Sequence, residues 1–430
     1  MTLDILPDVL ADLGSGAHRA VVVDSPPGAG KSTLVVRAAL RIVDDGDPVI
    51  IVAQTNEQVD DLVVRLASAE SQSRVGRLSA QDYAASARIS SQSSVVLGTK
   101  VDDLAGCRII VGTAAKWATV NDGSWPWAIV DEAYQMRSDM LLRIANRFDR
   151  ALFVGDPGQL DPFSTVDIDR WTGLTWDPMQ SAIAVLLRHN PLPVHRLPVS
   201  WRLPSSAAPV IAEAFYPFTG FESGTGPGER RLSFTTAAFG HGPVDEALEL
   251  AAAGGWALYE LPARHAVRTD AEAAAACATL AERLVQRGAV AYSEVAPDGE
   301  RVTAERIAIG AAHRDQVAAI RSFLGPLARD VTVDTANRLQ GREYDVTIVL
   351  HPLSGRRDAT AFHLEAGRLC VLTSRHRQAC IVVARAGIPE LLDAHPSTEP
   401  VHLNVPAKFP DGWEANHAVL AHLGPHRVGV

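Results

Sequence analysis

Gly28, Gly30, Lys31 and Ser32 stand at a turn, in the order Ser25-Pro26-Pro27-Gly28-Ala29-Gly30-Lys31-Ser32-Thr33. Glycines at this spacing let backbone N–H groups approach an anion without a Cβ in the way. A helix that opens directly after them aims its free N–H groups at the same point. Lys31 adds a mobile positive charge, and Ser32 offers a hydroxyl to a hard cation. Pro27, Gly28, Ala29, Gly30, Lys31, Ser32 and Thr33 therefore form a candidate phosphate cradle. Ser25 fills the slot where this pattern has glycine. A second candidate is Asp131-Glu132, which ends the apolar run Trp127-Ala128-Ile129-Val130. Asp131 can hold Mg²⁺, directly or through water, and Glu132 can orient or deprotonate an attacking water. A third is Gln159, in Phe153-Val154-Gly155-Asp156-Pro157-Gly158-Gln159, placed to hydrogen-bond a terminal phosphate.

Such residues need rigid elements behind them. Ala20–Asp24, 48–53, 108–111, 127–130 and 151–154 are short apolar runs. Helical patterns lie between them, at Lys31–Ile42 and at 56–67. Short buried strands alternating with helices predict a parallel sheet covered on both faces. The Ser-, Ala- and Gln-rich stretch 68–106 reads as a small insertion leaving that sheet. An irregular stretch at 163–185 predicts the domain boundary. The second half repeats the style, with strands expected at 256–261, 306–310, 331–333, 346–350 and 381–384. Helices are expected at 270–287 and 316–324, and the Gly-rich 220–242 reads as loop. The expected division is 1–170, 186–393 and a tail at 394–430.

The chain has 430 residues and a net charge of −10. That length suits two or three domains. The charge argues weakly against a nucleic-acid binder, although a basic groove can sit inside an acidic protein. Cys107, Cys277, Cys370 and Cys380 form no CxxC pair, which predicts reduced thiols and no zinc or iron–sulfur site. No apolar run is long enough for a transmembrane helix. The first residues carry an acid and lack a basic n-region, so a cytoplasmic location without membrane contact is expected.

In order and wording, these segments resemble the superfamily 1 helicases, most of all the 5′-to-3′ branch that includes the RNA helicase of nonsense-mediated decay. The resemblance runs from about Val21 to Arg377. Ser25–Thr33 resembles motif I and Thr55–Asp60 motif Ia, with Gln58 where a small residue is usual. Val111-Gly112-Thr113 is similar to the strand end before motif II. Asp131-Glu132-Ala133-Tyr134-Gln135 resembles motif II, and Gly155–Pro162 resembles motif III. Leu197–Arg202 resembles the motif that usually ends in Tyr-Arg. Ile307–Gln316, Asp334–Asp345 and Arg368–Arg377 resemble motifs IV, V and VI.

The resemblance implies an α/β chain of two RecA-like P-loop NTPase domains with ATP and Mg²⁺ in the cleft between them. It implies Lys31, Asp131, Glu132, Gln159, Arg202 and Arg375 as catalytic residues, the two arginines acting as fingers. It implies that Trp201 stacks on adenine and that Gln340, Gly341 and Glu343 contact the nucleotide. Thr55, Asn56, Thr113 and Thr335 would touch single-stranded nucleic acid. Outside the motif series, the threonines read as helix caps, Trp201 as core, and the arginines as surface or salt-bridged. No Gln precedes the loop, which leaves base specificity open and is compatible with several nucleoside triphosphates. Two functions are consistent with this pattern: an ATP-dependent translocase or helicase, or an ATP-gated switch that works with a protein partner.

Overall fold

A computed structural model describes residues 5–69, 74–162, 171, 174, 177–178, 180–238, 242–266, 269–396 and 410–430. The chain divides into two compact units, with the main division after Leu197. Among the described residues no helix is long and apolar enough to cross a membrane.

The first unit is built on eight parallel strands: β1 (Ala20–Asp24), β2 (Val49–Ala53), β3 (Val75–Leu78), β4 (Val95–Gly98), β5 (Ile109–Thr113), β6 (Trp125–Asp131), β7 (Phe148–Gly155) and β8 (Val194–Arg196). Their order is β4-β3-β5-β2-β6-β7-β1-β8. Alternate residues enter opposite cores. Val21, Val23, Ile51 and Ile129 pack with the helices Lys31–Asp44 and Asn56–Ser68. Val22, Ile50, Val52 and Val130 pack with Trp117, Met136 and Ile183 on the other face. Burial on both faces is why these strands read as continuous apolar runs.

The reading of 68–106 as an excursion is corrected here. Val75–Leu78 and Val95–Gly98 are strands of the main sheet at its edge. The pattern of β3 was hidden because it buries Arg77, whose charge is met by Asp60 2.9 Å away. The boundary is also later than composition suggests. The helix Ala182–His189 begins within the stretch read as irregular, and β8 after it still pairs with β1. Within that stretch, residues 163–170 lie outside the described residues.

The second unit has a six-stranded parallel sheet of β12 (Trp256–Leu261), β15 (Ile307–Ala311), β16 (Thr332–Thr335), β17 (Tyr344–Leu350), β18 (His376–Arg385) and β19 (Arg427–Gly429). The order is β16-β15-β17-β18-β12-β19. A two-stranded ladder joins β9 (Val199–Ser200) to β10 (Glu222–Ser223). A separate antiparallel sheet joins β11 (Arg231–Phe234), β13 (Ala289–Ser293) and β14 (Ala296–Arg301). The stretch expected as plain loop at 220–242 thus supplies β10 and β11. The expected tail contributes the helix Gly412–Leu423, packed in the core with Val210 and Ile211, and the edge strand β19.

Candidate nucleotide site

In the first unit the parallel register brings several strand ends to one edge. Asp24 pairs with Gly155, Asp131 with Val154, and Ala53 with Thr113. The carboxyl edge of such a sheet is where α/β folds hold ligands. The loop after β1 starts there, anchored by Ser25 N–H donating to Gly155 O at 2.8 Å. Gly28 and Gly30 have φ of 76° and 92°, values that a side chain resists. Gly30 caps the helix Lys31–Asp44 without any side-chain bond, so the first N–H groups of a 14-residue helix are left for an external acceptor.

Lys31 Nζ lies 3.3 Å from Glu132 Oε1 and 3.8 Å from Asp156 Oδ2. Asp131 is buried and accepts from Glu132 N–H at 3.0 Å. Burial pushes the Asp131 carboxyl above its ordinary range, and the Glu132 charge adds to this. A divalent cation would stabilise that carboxylate. Glu132 has φ 49°, the one positive value for a non-glycine among the described residues. Strain of this kind collects at functional sites. Tyr134 Oη donates to Asp24 Oδ1 at 2.6 Å, bracing the loop from behind. Ser25 Oγ is buried with no hydrogen-bond partner among the described residues. The helix terminus, the ammonium and the buried carboxylate fit ATP with Mg²⁺: Pro27–Thr33 for phosphate, and Ser32 with Asp131 for the cation.

The candidate strand contacts of this unit have other work. Thr55 accepts from Gln58 N–H, and Gln58 Oε1 accepts from Thr55 N–H at 3.0 Å. This capping box accounts for Gln58 where a small residue is usual. Thr113 caps the next turn by accepting from Lys116 N–H at 3.2 Å. Asn56 Oδ1 accepts from Arg77 at 3.0 Å.

In the second unit Gln159 is buried and accepts from Gln340 Nε2 at 2.8 Å. The triplet Gly158–Leu160 groups with this unit, although its flanks group with the first. Gly367 makes room for it: a Cβ there would lie 2.4 Å from Gln159 O. Arg202 Nε donates to Glu343 Oε2 at 3.0 Å, and Arg377 lies 3.3 Å from Oε1. Burial pushes the Glu343 carboxyl up, but Arg202 and Arg377 more than offset this and hold it below its ordinary value. Gly341 has φ 80°. Trp201 is 39% exposed and rests against Gly224. Arg375 is buried, donating to Val371 O at 3.1 Å and to Ser374 Oγ at 2.7 Å. Arg375 and Glu343 both lie at the amino end of the sheet, where Tyr344 pairs with His376. Thr335 lies at the opposite end, paired with Ala311.

Residues 8–167 match a family model described as an AAA domain, and residues 260–387 match a second model of that description. The two matched stretches are thus similar to AAA domains, and they support a P-loop NTPase. Its two main sheets are parallel, an α/β fold consistent with RecA-like domains. No curated protein matches the sequence. Among solved structures, arterivirus nonstructural protein 10, a helicase, in complex with DNA is 15% identical. The alignment covers 88% of this chain and 63% of that one, with a TM-score of 0.46. The PRRSV helicase is 14% identical, over 93% of this chain and 57% of that one, with a TM-score of 0.46. This chain therefore spans about three fifths of the length of these structures.

Sequence reasoning did not assign Asp156, Asp24 or Tyr134 to the site. Asp156 was visible beside Gln159 in the same strand-end motif. The Tyr134–Asp24 contact joins residues 110 positions apart and left no local signal.

Proposed function

We propose that the chain is an ATP-dependent single-strand nucleic-acid translocase and helicase of superfamily 1, from the 5′-to-3′ branch. The observation that carries this reading is the grouping of Lys31, Asp131, Glu132 and Asp156 beside a glycine loop that opens a helix. The ordered motif series through Arg377 extends it. Bound ATP with its Mg²⁺ supplies the scissile phosphoanhydride. Lys31 neutralises phosphate charge, Ser32 and Asp131 hold the cation, and Glu132 takes the proton of the attacking water. Arg202 and Arg375 supply positive charge to the transferring phosphoryl group, and Gln159 senses it. Trp201, Gln340, Gly341 and Glu343 bind the rest of the nucleotide. Thr55, Asn56, Thr113 and Thr335 grip the strand backbone, which makes binding independent of sequence.

The test is the ATPase rate with no nucleic acid, with single-stranded DNA and with single-stranded RNA. Stimulation by either strand is expected, and tailed duplexes of both polarities then report direction. A rate unchanged by both strands overturns the translocase half of the proposal. The hydroxyls of Thr55 and Thr113, already used as helix caps, favour a second reading. In it the chain is an ATP-gated switch or motor subunit that unwinds nothing alone and works with a protein partner. Strand displacement by the isolated chain rejects that alternative.

A further inference from the structure

Arg230 belongs to none of the motifs, yet its side chain is 2% exposed and fully engaged. Nε donates to Glu294 Oε2 at 3.0 Å, and Nη2 to Glu294 Oε1 at 2.5 Å. Nη2 also donates to Trp201 O at 2.6 Å, and Nη1 donates to Arg202 O. One guanidinium therefore ties two successive carbonyls to a carboxylate. Both carbonyls lie beyond the end of β9, where the ladder no longer fixes the chain. Glu294 sits in the turn between β13 and β14, beside the exposed Val295. Hydrogen bonding from Arg230 holds the Glu294 carboxyl below its ordinary value, so the pair is charged at neutral pH.

Trp201 and Arg202 point their side chains in fixed directions from this tied backbone. The Trp201 ring meets Gly224, and Arg202 Nε reaches Glu343. We propose that Arg230, with Glu294, is a positioning residue that sets where the Trp201 ring and the Arg202 guanidinium are presented to nucleotide. The proposal rests on the reading of those two residues as nucleotide contacts. Its chemistry is specific to arginine. A planar fork can serve both carbonyls and a bidentate carboxylate, whereas a lysine ammonium at the same place keeps the charge and loses the geometry.

The experiment measures kcat and KM for ATP in the wild type, Arg230→Lys, Glu294→Gln, Arg202→Ala and the double variant Arg202→Ala/Arg230→Lys, with melting curves for each. Arg230→Lys is expected to lower kcat by about 10- to 100-fold, as misplacement of a catalytic group does. Glu294→Gln, which keeps the turn and leaves a neutral acceptor, is expected to lower it less. With Arg202 already removed, Arg230→Lys is expected to leave kcat unchanged, which a purely structural role would not do. If Arg202→Ala lowers kcat and Arg230→Lys does not, the positioning role is overturned while the nucleotide reading stands. Turnover unaffected by Arg202→Ala overturns both. Should Arg230→Lys fail to fold, the same cycle with Glu294→Gln decides: additive losses in kcat overturn the proposal.

Discussion

Lys31 Nζ lies within 3.3 Å of Glu132 Oε1, so the P-loop ammonium and the proposed base are neighbours across 101 residues of sequence. Lys31→Ala is expected to abolish ATP hydrolysis. Glu132→Gln is expected to bind ATP while turnover falls by about 10²- to 10⁴-fold, the usual contribution of a positioned base. Binding by equilibrium titration and turnover by phosphate release separate the two effects. Normal turnover in Glu132→Gln would remove Glu132 from the base role.

Gly224 leaves the space that the Trp201 ring uses, since a Cβ there would lie 2.7 Å from Trp201 Cε3. Gly224→Val must push the ring aside. If that ring stacks on the nucleotide base, KM for ATP should rise about 3- to 10-fold, the worth of one aromatic stack. An unchanged KM would mean that the indole makes no such contact.

Arg77 and Asp60 form a buried pair, with Tyr83 Oη donating to Asp60 and its ring 3.4 Å from the Arg77 guanidinium carbon. Removing one partner strands the other charge. Arg77→Met is expected to cost about 3–5 kcal/mol, and Arg77→Met/Asp60→Leu much less. Urea unfolding measures both variants. A double variant as unstable as the sum of its parts would show that the pair is not coupled.

His351 is buried, its Nδ1 accepting from Leu353 N–H at 3.2 Å. Burial pulls its pKa from 6.5 to about 4. The unfolded chain therefore binds this proton more readily than the folded one. The contribution to stability is complete above pH 6.5 and is lost as pH falls towards 4. At about 1.4 kcal/mol per tenfold in proton affinity, the loss approaches about 3 kcal/mol. Unfolding free energies at pH 7 and pH 5 should differ less in His351→Gln than in the wild type. An equal pH dependence in both would assign the effect elsewhere.

By itself the sequence determined the local parts. The glycine loop, the strand ends at Asp131 and Gly155, and most strands of both sheets follow from short-range chemistry. A loop that must take φ of 76° and 92° selects glycine, and a strand covered on both faces selects an unbroken apolar run. The tertiary structure decided what depends on distant partners. Arg77 could sit in a strand because Asp60 meets its charge, so β3 was invisible to a hydrophobic pattern. Gln159, adjacent in sequence to the first unit, is held by Gln340 from 181 residues away. Arg230 gained its place through Glu294 and two carbonyls, none of them in a recognisable motif. Hydrophobic periodicity records which face of an element is buried. It carries no record of which polar group answers another across the fold, and those pairings arrange the side chains that chemistry needs.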